Sequence, residues 1–260
     1  MKIAAAAVDA VPPSPDGLVI LIYHRVGGRT DMEVDLPTAR FEAQVAELAA
    51  SGRLVSLDEG IARLGSGDCG GMPLVLTFDD GTADWVDQVL PVLVRHSAPA
   101  TFYVATDHIE ARRGFPHEGS PVSWAGLEEL AASGLATIGS HTHTHALLDR
   151  CDGAAAAREL DRSVELIGER LGIACRHFAY PKALLGSSEA EREVRRRFQS
   201  ASLAGSRPNR PGADPHRLLR TPIQRSDGMR WFRRKASGGM WFEDRVRDVV
   251  NRHRYRRITT

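Results

Sequence analysis

Asp79 and Asp80 are the residues with the clearest chemical potential: two adjacent carboxylates that end the apolar run Leu74-Val75-Leu76-Thr77-Phe78 and precede Gly81-Thr82. A short apolar run with β-branched Val75 and Thr77 predicts a buried strand, which puts the carboxylates at its carboxyl end, where α/β proteins bind ligands. Two like charges side by side call for a cation, because burying them unpartnered is costly. The plainer alternative is that they open a turn and cap the next helix, positions where Asp is favoured. A second cluster weighs against that alternative. Ser140-His141-Thr142-His143-Thr144-His145 holds three of the ten histidines and follows another expected strand, Ala136-Thr137-Ile138-Gly139. If the chain enters a helical turn there, His141 and His145 stand at i and i+4 on one face, a spacing at which two imidazoles share one ion. With Asp80 they form a two-nitrogen, one-oxygen set that leaves a position open, as catalytic sites do. A divalent ion held there polarises a carbonyl and lowers the pKa of water to about 7. Asp79 diverges from its neighbour at the strand end and is the candidate general base.

The elements that must position these groups alternate. Leu18-Val19-Ile20-Leu21-Ile22-Tyr23 predicts a strand ending at His24, after the turn-rich Pro12-Pro13-Ser14-Pro15-Asp16-Gly17. Phe41, Val45 and Leu48 mark a first helix, and Arg53-Leu54-Val55-Ser56 a short strand. Val86, Val89, Leu90, Leu93 and Val94 mark the helix after the carboxylates, and Pro99-Ala100-Thr101-Phe102-Tyr103-Val104 the next strand. A long loop over residues 107–121 is a candidate wall of a substrate groove. Helices follow at Trp124, Leu127 and Leu130 and at Leu160, Val164, Ile167 and Leu171, the second capped by Gly172. His177-Phe178-Ala179-Tyr180-Pro181 ends a strand, residues 189–198 form a charged helix, and Leu218-Leu219-Arg220-Thr221-Pro222 follows a Pro-, Gly- and Arg-rich loop. An Arg-rich helix is expected over residues 243–257. Strands alternating with helices give an α/β class with a parallel sheet, and periodicity leaves open whether that sheet closes into a barrel or stays doubly wound.

Composition narrows the classes. The 260 residues, 42% hydrophobic and 26% charged, suit one globular catalytic domain over residues 18–260 behind a leader at 1–17. A formal net charge of +1 argues against wholesale nucleic-acid binding, and no apolar stretch has the length of a transmembrane segment. Cys69, Cys151 and Cys175 are odd in number and in no metal-binding pattern, so reduced structural thiols are expected. The apolar core after Met1-Lys2-Ile3 is short for a signal peptide, which reads as a cytoplasmic chain. Nothing in the sequence fixes an oligomeric state.

Thr77-Phe78-Asp79-Asp80-Gly81 and His141-Thr142-His143-Thr144-His145 resemble the first two motifs of the polysaccharide deacetylases, carbohydrate esterase family 4, also called the NodB homology domain. The resemblance runs over roughly residues 18–220. It implies a distorted, incomplete (β/α) barrel of about seven parallel strands, with the motifs at the carboxyl ends. It implies Asp79 as base, and Asp80, His141 and His145 as ligands of one divalent ion, with Zn²⁺ the default and Co²⁺, Ni²⁺, Mn²⁺ or Fe²⁺ able to fit. The partner it implies is an acetylated amino-sugar glycan or oligosaccharide, and it implies export or membrane attachment, unlike the N-terminus. The family's third motif, Arg-any-Pro-Tyr, corresponds to Ala179-Tyr180-Pro181-Lys182, so Tyr180 and Lys182 are the oxyanion and substrate candidates, and Ala179 stands where an arginine orients the base.

The family's closing Leu-any-His is missing after Arg220, where only His253 remains. Leu21-Ile22-Tyr23-His24 resembles that motif moved to the front, as in the circularly permuted branch acting on poly-N-acetylglucosamine. Closing a barrel makes first and last strands neighbours, so His24 becomes the candidate acid that protonates the leaving amine, with Leu21 or Ile22 near the acetyl methyl. The plainer reading is a histidine that ends a strand by bonding a backbone carbonyl. Three other functions compete: deacylation of a small, non-polymeric amide, a non-catalytic glycan-binding module, and a haloacid-dehalogenase-like phosphatase. The last fails because Phe78 stands where the aspartyl nucleophile is required.

Overall fold

The computed structural model describes residues 16–117 and 119–240. Most of the expected leader, the helix expected over residues 243–257 and His253 lie outside the described residues.

Seven parallel strands form a closed ring: β1 (Val19–Tyr23), β4 (Leu74–Asp80), β5 (Ala100–Val104), β6 (Ala136–Ser140), β7 (His177–Ala179), β8 (Ser200–Ala204) and β9 (Leu218–Pro222). The short strands β2 (Arg25–Val26) and β3 (Asp35–Leu36) pair beside it. Pairing of Leu21 with Thr221 and Ile22 with Pro222 closes the ring, which excludes the doubly wound alternative. The ring is thinnest at β6 and β7, joined by one ladder pair, Ser140 with Phe178.

Strand alternation divides the side chains into two sets. Leu76, Phe78, Phe102, Ile138 and Phe178 face outward into the main apolar cluster, against helices that include α1 (Thr38–Ala50), α3 (Leu90–His96), α5 (Trp124–Ala132) and α6 (Gly153–Leu171). The second cluster joins Leu18, Ile20, Val75 and Leu218 to Leu57 and Leu64 of α2 (Leu57–Ser66), so α2 plugs the amino end of the barrel. It approaches so closely that a Cβ on Gly60 would lie 2.8 Å from a Leu18 methyl. Above that apolar floor the interior turns polar, with buried Thr77, Asp79, Ser202 and Arg220.

Several elements differ from expectation. The strand expected at 53–56 is a single bridge, Leu54 with Leu74, because the chain turns at once into α2. The expected loop over 107–121 starts with the short helix α4 (Thr106–Glu110). After the carboxylates, a π-helical turn over Trp85–Val89 leads into α3.

Candidate active site

Strand register brings the chemistry to one end of the barrel. Tyr23 pairs with Phe78, so the next step up the ladder sets His24 alongside Asp79. Val104 pairs with Ser140, and the His141 amide continues the ladder by donating to Val104 O. Asp79 and Asp80 at the end of β4, His24 just past β1 and His141 just past β6 therefore gather at the carboxyl ends of their strands, the end at which parallel barrels carry their sites.

Asp80, His141 and His145 form a group whose ligand atoms all lie within 4.8 Å of one another. Asp80 Oδ1 is 3.6 Å from His141 Nε2 and 3.4 Å from His145 Nε2. His141 Nδ1 lies 2.7 Å from Ala179 O; a carbonyl only accepts, so Nδ1 carries the proton and Nε2 is left as a bare acceptor. A lone pair facing a carboxylate oxygen is unfavourable unless a cation lies between them, so this donor set fits a metal ion. Burial, reinforced by the neighbouring His145, pushes the His141 pKa down to about 4 against the opposing pull of Asp79 and Asp80. Burial would raise the Asp80 carboxyl, yet the His145 contact and the charges of His24 and His141 hold it far below the usual range.

The histidine segment is not the helical turn that the i, i+4 spacing suggested. It is an irregular loop with left-handed backbone at Thr142 (φ 65°) and His145 (φ 62°), and these two reversals return His145 to the group. Asp80 is left-handed as well (φ 85°), a conformation that non-glycine residues hold only under constraint. The Ala146 amide donates to Thr142 Oγ1 at 3.0 Å. His143 turns away, with Nδ1 3.0 Å from Thr106 Oγ1.

Asp79 has a partner that sequence reasoning missed. Arg220 of β9, fully buried, donates from Nη1 and Nη2 to the two Asp79 carboxylate oxygens at 2.6 and 2.7 Å. Its guanidinium lies 5.0 Å over the Tyr103 ring and also donates to Thr77 Oγ1. Gly139 makes room for that ring: a Cβ there would sit 2.7 Å from it. Burial works to raise the Asp79 carboxyl, but the charge and hydrogen bonds of Arg220 override it and hold the group below the usual range. The guanidinium absent at Ala179 is thus supplied from a different strand. The signal was a lone charged residue in the apolar strand Leu218–Pro222.

His24 is fixed through its backbone, whose carbonyl accepts from Trp85 Nε1 at 2.8 Å. Its Nδ1 is buried with no hydrogen-bond partner among the described residues, so it does not close the strand by bonding a carbonyl through that nitrogen. Tyr180 needs a correction as an oxyanion residue. Its amide is taken, donating to Ser202 O at 3.1 Å, and its ring lies edge-on against Phe178 in the outer apolar cluster rather than in the barrel interior that carries Asp79. Exposed Lys182 has left-handed backbone (φ 54°), and no acceptor among the described residues takes its N–H.

Acceptors that could hold a cation, beside a second carboxylate at the open end of a parallel barrel, are the kind of arrangement that metal-assisted hydrolases use. The family profile for polysaccharide deacetylase matches residues 67–199, just over half of the chain, and the chain belongs to that family. It is 26% identical over 224 residues to the poly-β-1,6-N-acetyl-D-glucosamine N-deacetylase of Staphylococcus epidermidis, covering 77% of this chain and 76% of that protein. It is 34% identical over 95 residues to the chitooligosaccharide deacetylase of Rhizobium leguminosarum bv. trifolii, a match spanning 36% of this chain and 39% of that protein. The structure of IcaB from Ammonifex degensii superimposes with a TM-score of 0.72 at 26% identity, covering 88% of this chain and 99% of that one. No helix among the described residues is long and apolar enough to cross a membrane.

Proposed function

We propose that the protein removes acetyl groups from the amino nitrogens of an N-acetylglucosamine-type glycan by metal-assisted amide hydrolysis. The observation that carries this reading is the convergence of Asp80, His141 and His145 beside an Asp79 kept ionised by Arg220. Its support from relatives is family membership and the likeness to a poly-β-1,6-N-acetyl-D-glucosamine N-deacetylase. Asp80, His141 and His145 would hold one divalent ion, Zn²⁺ by default, which when bound polarises the acetyl carbonyl and eases deprotonation of water.

The chain's own groups do the rest. Asp79 takes the proton of the attacking water, and Arg220 fixes its two oxygens so that it is ionised and aimed. The Lys182 N–H donates to the carbonyl oxygen as negative charge develops there. His24, across from Asp79 on the neighbouring strand, gives its proton to the departing amine.

The test is acetate release from N-acetylglucosamine oligomers after treatment with a chelator and after adding back Zn²⁺, Co²⁺, Ni²⁺ or Mn²⁺. Loss on chelation and recovery with metal is the expected result. Glycan binding with no acetate release under any metal would favour the non-catalytic module, and turnover of small amides but not oligomers the small-substrate reading.

A further inference from the structure

We propose that Glu159 of α6 is a positioning residue that holds the loop between the two histidine ligands in its binding shape. The inference rests on the metal site proposed above. Thr142 and His145 are both left-handed, so the intervening His143-Thr144 segment needs external support to keep His141 and His145 converged. Glu159 provides it on one side. Its Oε2 accepts from the His143 amide at 3.1 Å and from the Thr144 amide at 2.8 Å, and its Oε1 accepts from the Thr144 hydroxyl at 2.9 Å. On the other side, the loop's carbonyls are held by the first turn of α4: the Thr106 amide donates to Thr142 O and the Asp107 amide to His143 O. Amides are thus clamped by one helix and carbonyls by another, while His141 and His145 are left to face Asp80. The hydrogen bonds of Glu159 go to His143 and Thr144 and not to the side chains of Asp80, His141 or His145, so its effect on metal binding passes through backbone geometry.

Groups that orient metal ligands typically contribute about 10- to 100-fold in affinity. Glu159→Ala is therefore expected to weaken Zn²⁺ binding by about that factor, read by competition with a chromogenic chelator, while the melting temperature of the chelated protein changes little. A merely structural surface bond would move the second quantity and not the first. Glu159→Gln is expected to stay within about threefold of the parent. Its one carbonyl oxygen can accept from both amides, and the Thr144 hydroxyl can reverse to accept from the new NH₂. If Glu159→Ala fails to fold, Thr144→Val decides, since it deletes one bond of the three and should weaken binding about threefold. Unchanged affinity in Glu159→Ala, or in Thr144→Val where that variant decides, overturns the proposal. So does a Glu159→Gln as weak as Glu159→Ala, which would make the carboxylate's charge the cause. Asp80→Ala separates this from the metal-site reading. If it binds Zn²⁺ as the parent does, the site itself is wrong; if it alone loses binding, only the role of Glu159 is.

Discussion

His141 and His177 are both fully buried at strand ends of the same barrel, and they differ in what their ring nitrogens are given. At the amino end, His177 Nδ1 lies 2.9 Å from Ser200 Oγ and Nε2 lies 3.1 Å from Asp58 Oδ1, so both are filled, with Nε2 donating to the carboxylate and Nδ1 accepting from the hydroxyl. At the carboxyl end, His141 spends one nitrogen on Ala179 O and turns the other toward Asp80 and His145, where no donor meets it. Ser200, His177 and Asp58 are even the residue types of a nucleophilic triad, yet Ser200 is fully buried at the closed floor of the barrel. Residue types alone do not make a site. A saturated network stabilises, and an unsaturated one that is held in place by its surroundings is available for a ligand.

Arg220 is where the comparison is most exposed to failure, because it lies in the polar interior between the two ends and reaches the chemistry. Arg220→Met leaves Asp79 buried without its cation, and breaking such a pair costs about 3–5 kcal/mol. Urea unfolding of the chelated protein should report that loss, and acetate release should fall with it. Adding Asp79→Asn to this variant should recover part of the stability and none of the turnover, since both buried charges are then gone. If Arg220→Met left stability and turnover intact, the ion pair would have no part in either end.

The next largest effects belong to the carboxyl end alone. Asp79→Asn is expected to keep its metal and lose turnover by about 10²-fold or more, the usual weight of a general base. Loss of metal instead would exchange the roles of the two aspartates. His24→Ala should cut amide hydrolysis by a comparable factor, about 10²-fold, and hydrolysis of an activated acetyl ester far less, because a good leaving group departs without a proton. Equal losses on both substrates would remove His24 from proton transfer.

The same contrast explains what was legible in the sequence. Apolar runs that stop at Asp79, His24 and Ser140 announce strand ends directly, and the candidate site lies at strand ends, so Asp79, Asp80, His24 and His141 could be proposed locally, whereas His145 came from a helical spacing that the loop does not have. The support could not. Arg220 sits more than a hundred residues from Asp79, and only ring closure between β1 and β9 makes them neighbours. The strand Ser200–Ala204 escaped notice because its small, polar side chains face a polar interior rather than the usual apolar core. Helix α2 was missed for a weaker reason. Ser56 and Glu59 have the spacing of a capping box, and the Ser56 side chain does accept from the Glu59 amide, but the helix is rich in Gly and charge. Loop shape was the hardest to infer, since two left-handed non-glycine residues are held by groups remote in sequence.

The smallest expected effect tests the amino end by itself. Burial lowers the pKa of His177, Asp58 opposes that shift, and Arg176 adds to it. Its folded pKa therefore lies below its unfolded value of about 6.5, and between those two values the unfolded chain binds more protons than the folded one. The stability this histidine contributes is fully present above about pH 6.5 and declines as pH falls below it, by at most about 1.4 kcal/mol per pH unit. In His177→Gln that part of the slope should disappear, so urea midpoints measured from pH 7 down to pH 5 should converge on those of the parent. Gln can still donate to Asp58 or accept from Ser200 but cannot match both distances, so a constant loss of about 1–3 kcal/mol is expected at pH 7. Turnover and Zn²⁺ affinity at neutral pH should remain those of the parent, because the side chains of His177, Ser200 and Asp58 bond to one another and not to Asp80, His141 or His145. A fall in metal affinity would show that the floor of the barrel shapes the site, and the division between a stabilising end and a chemical end would not hold.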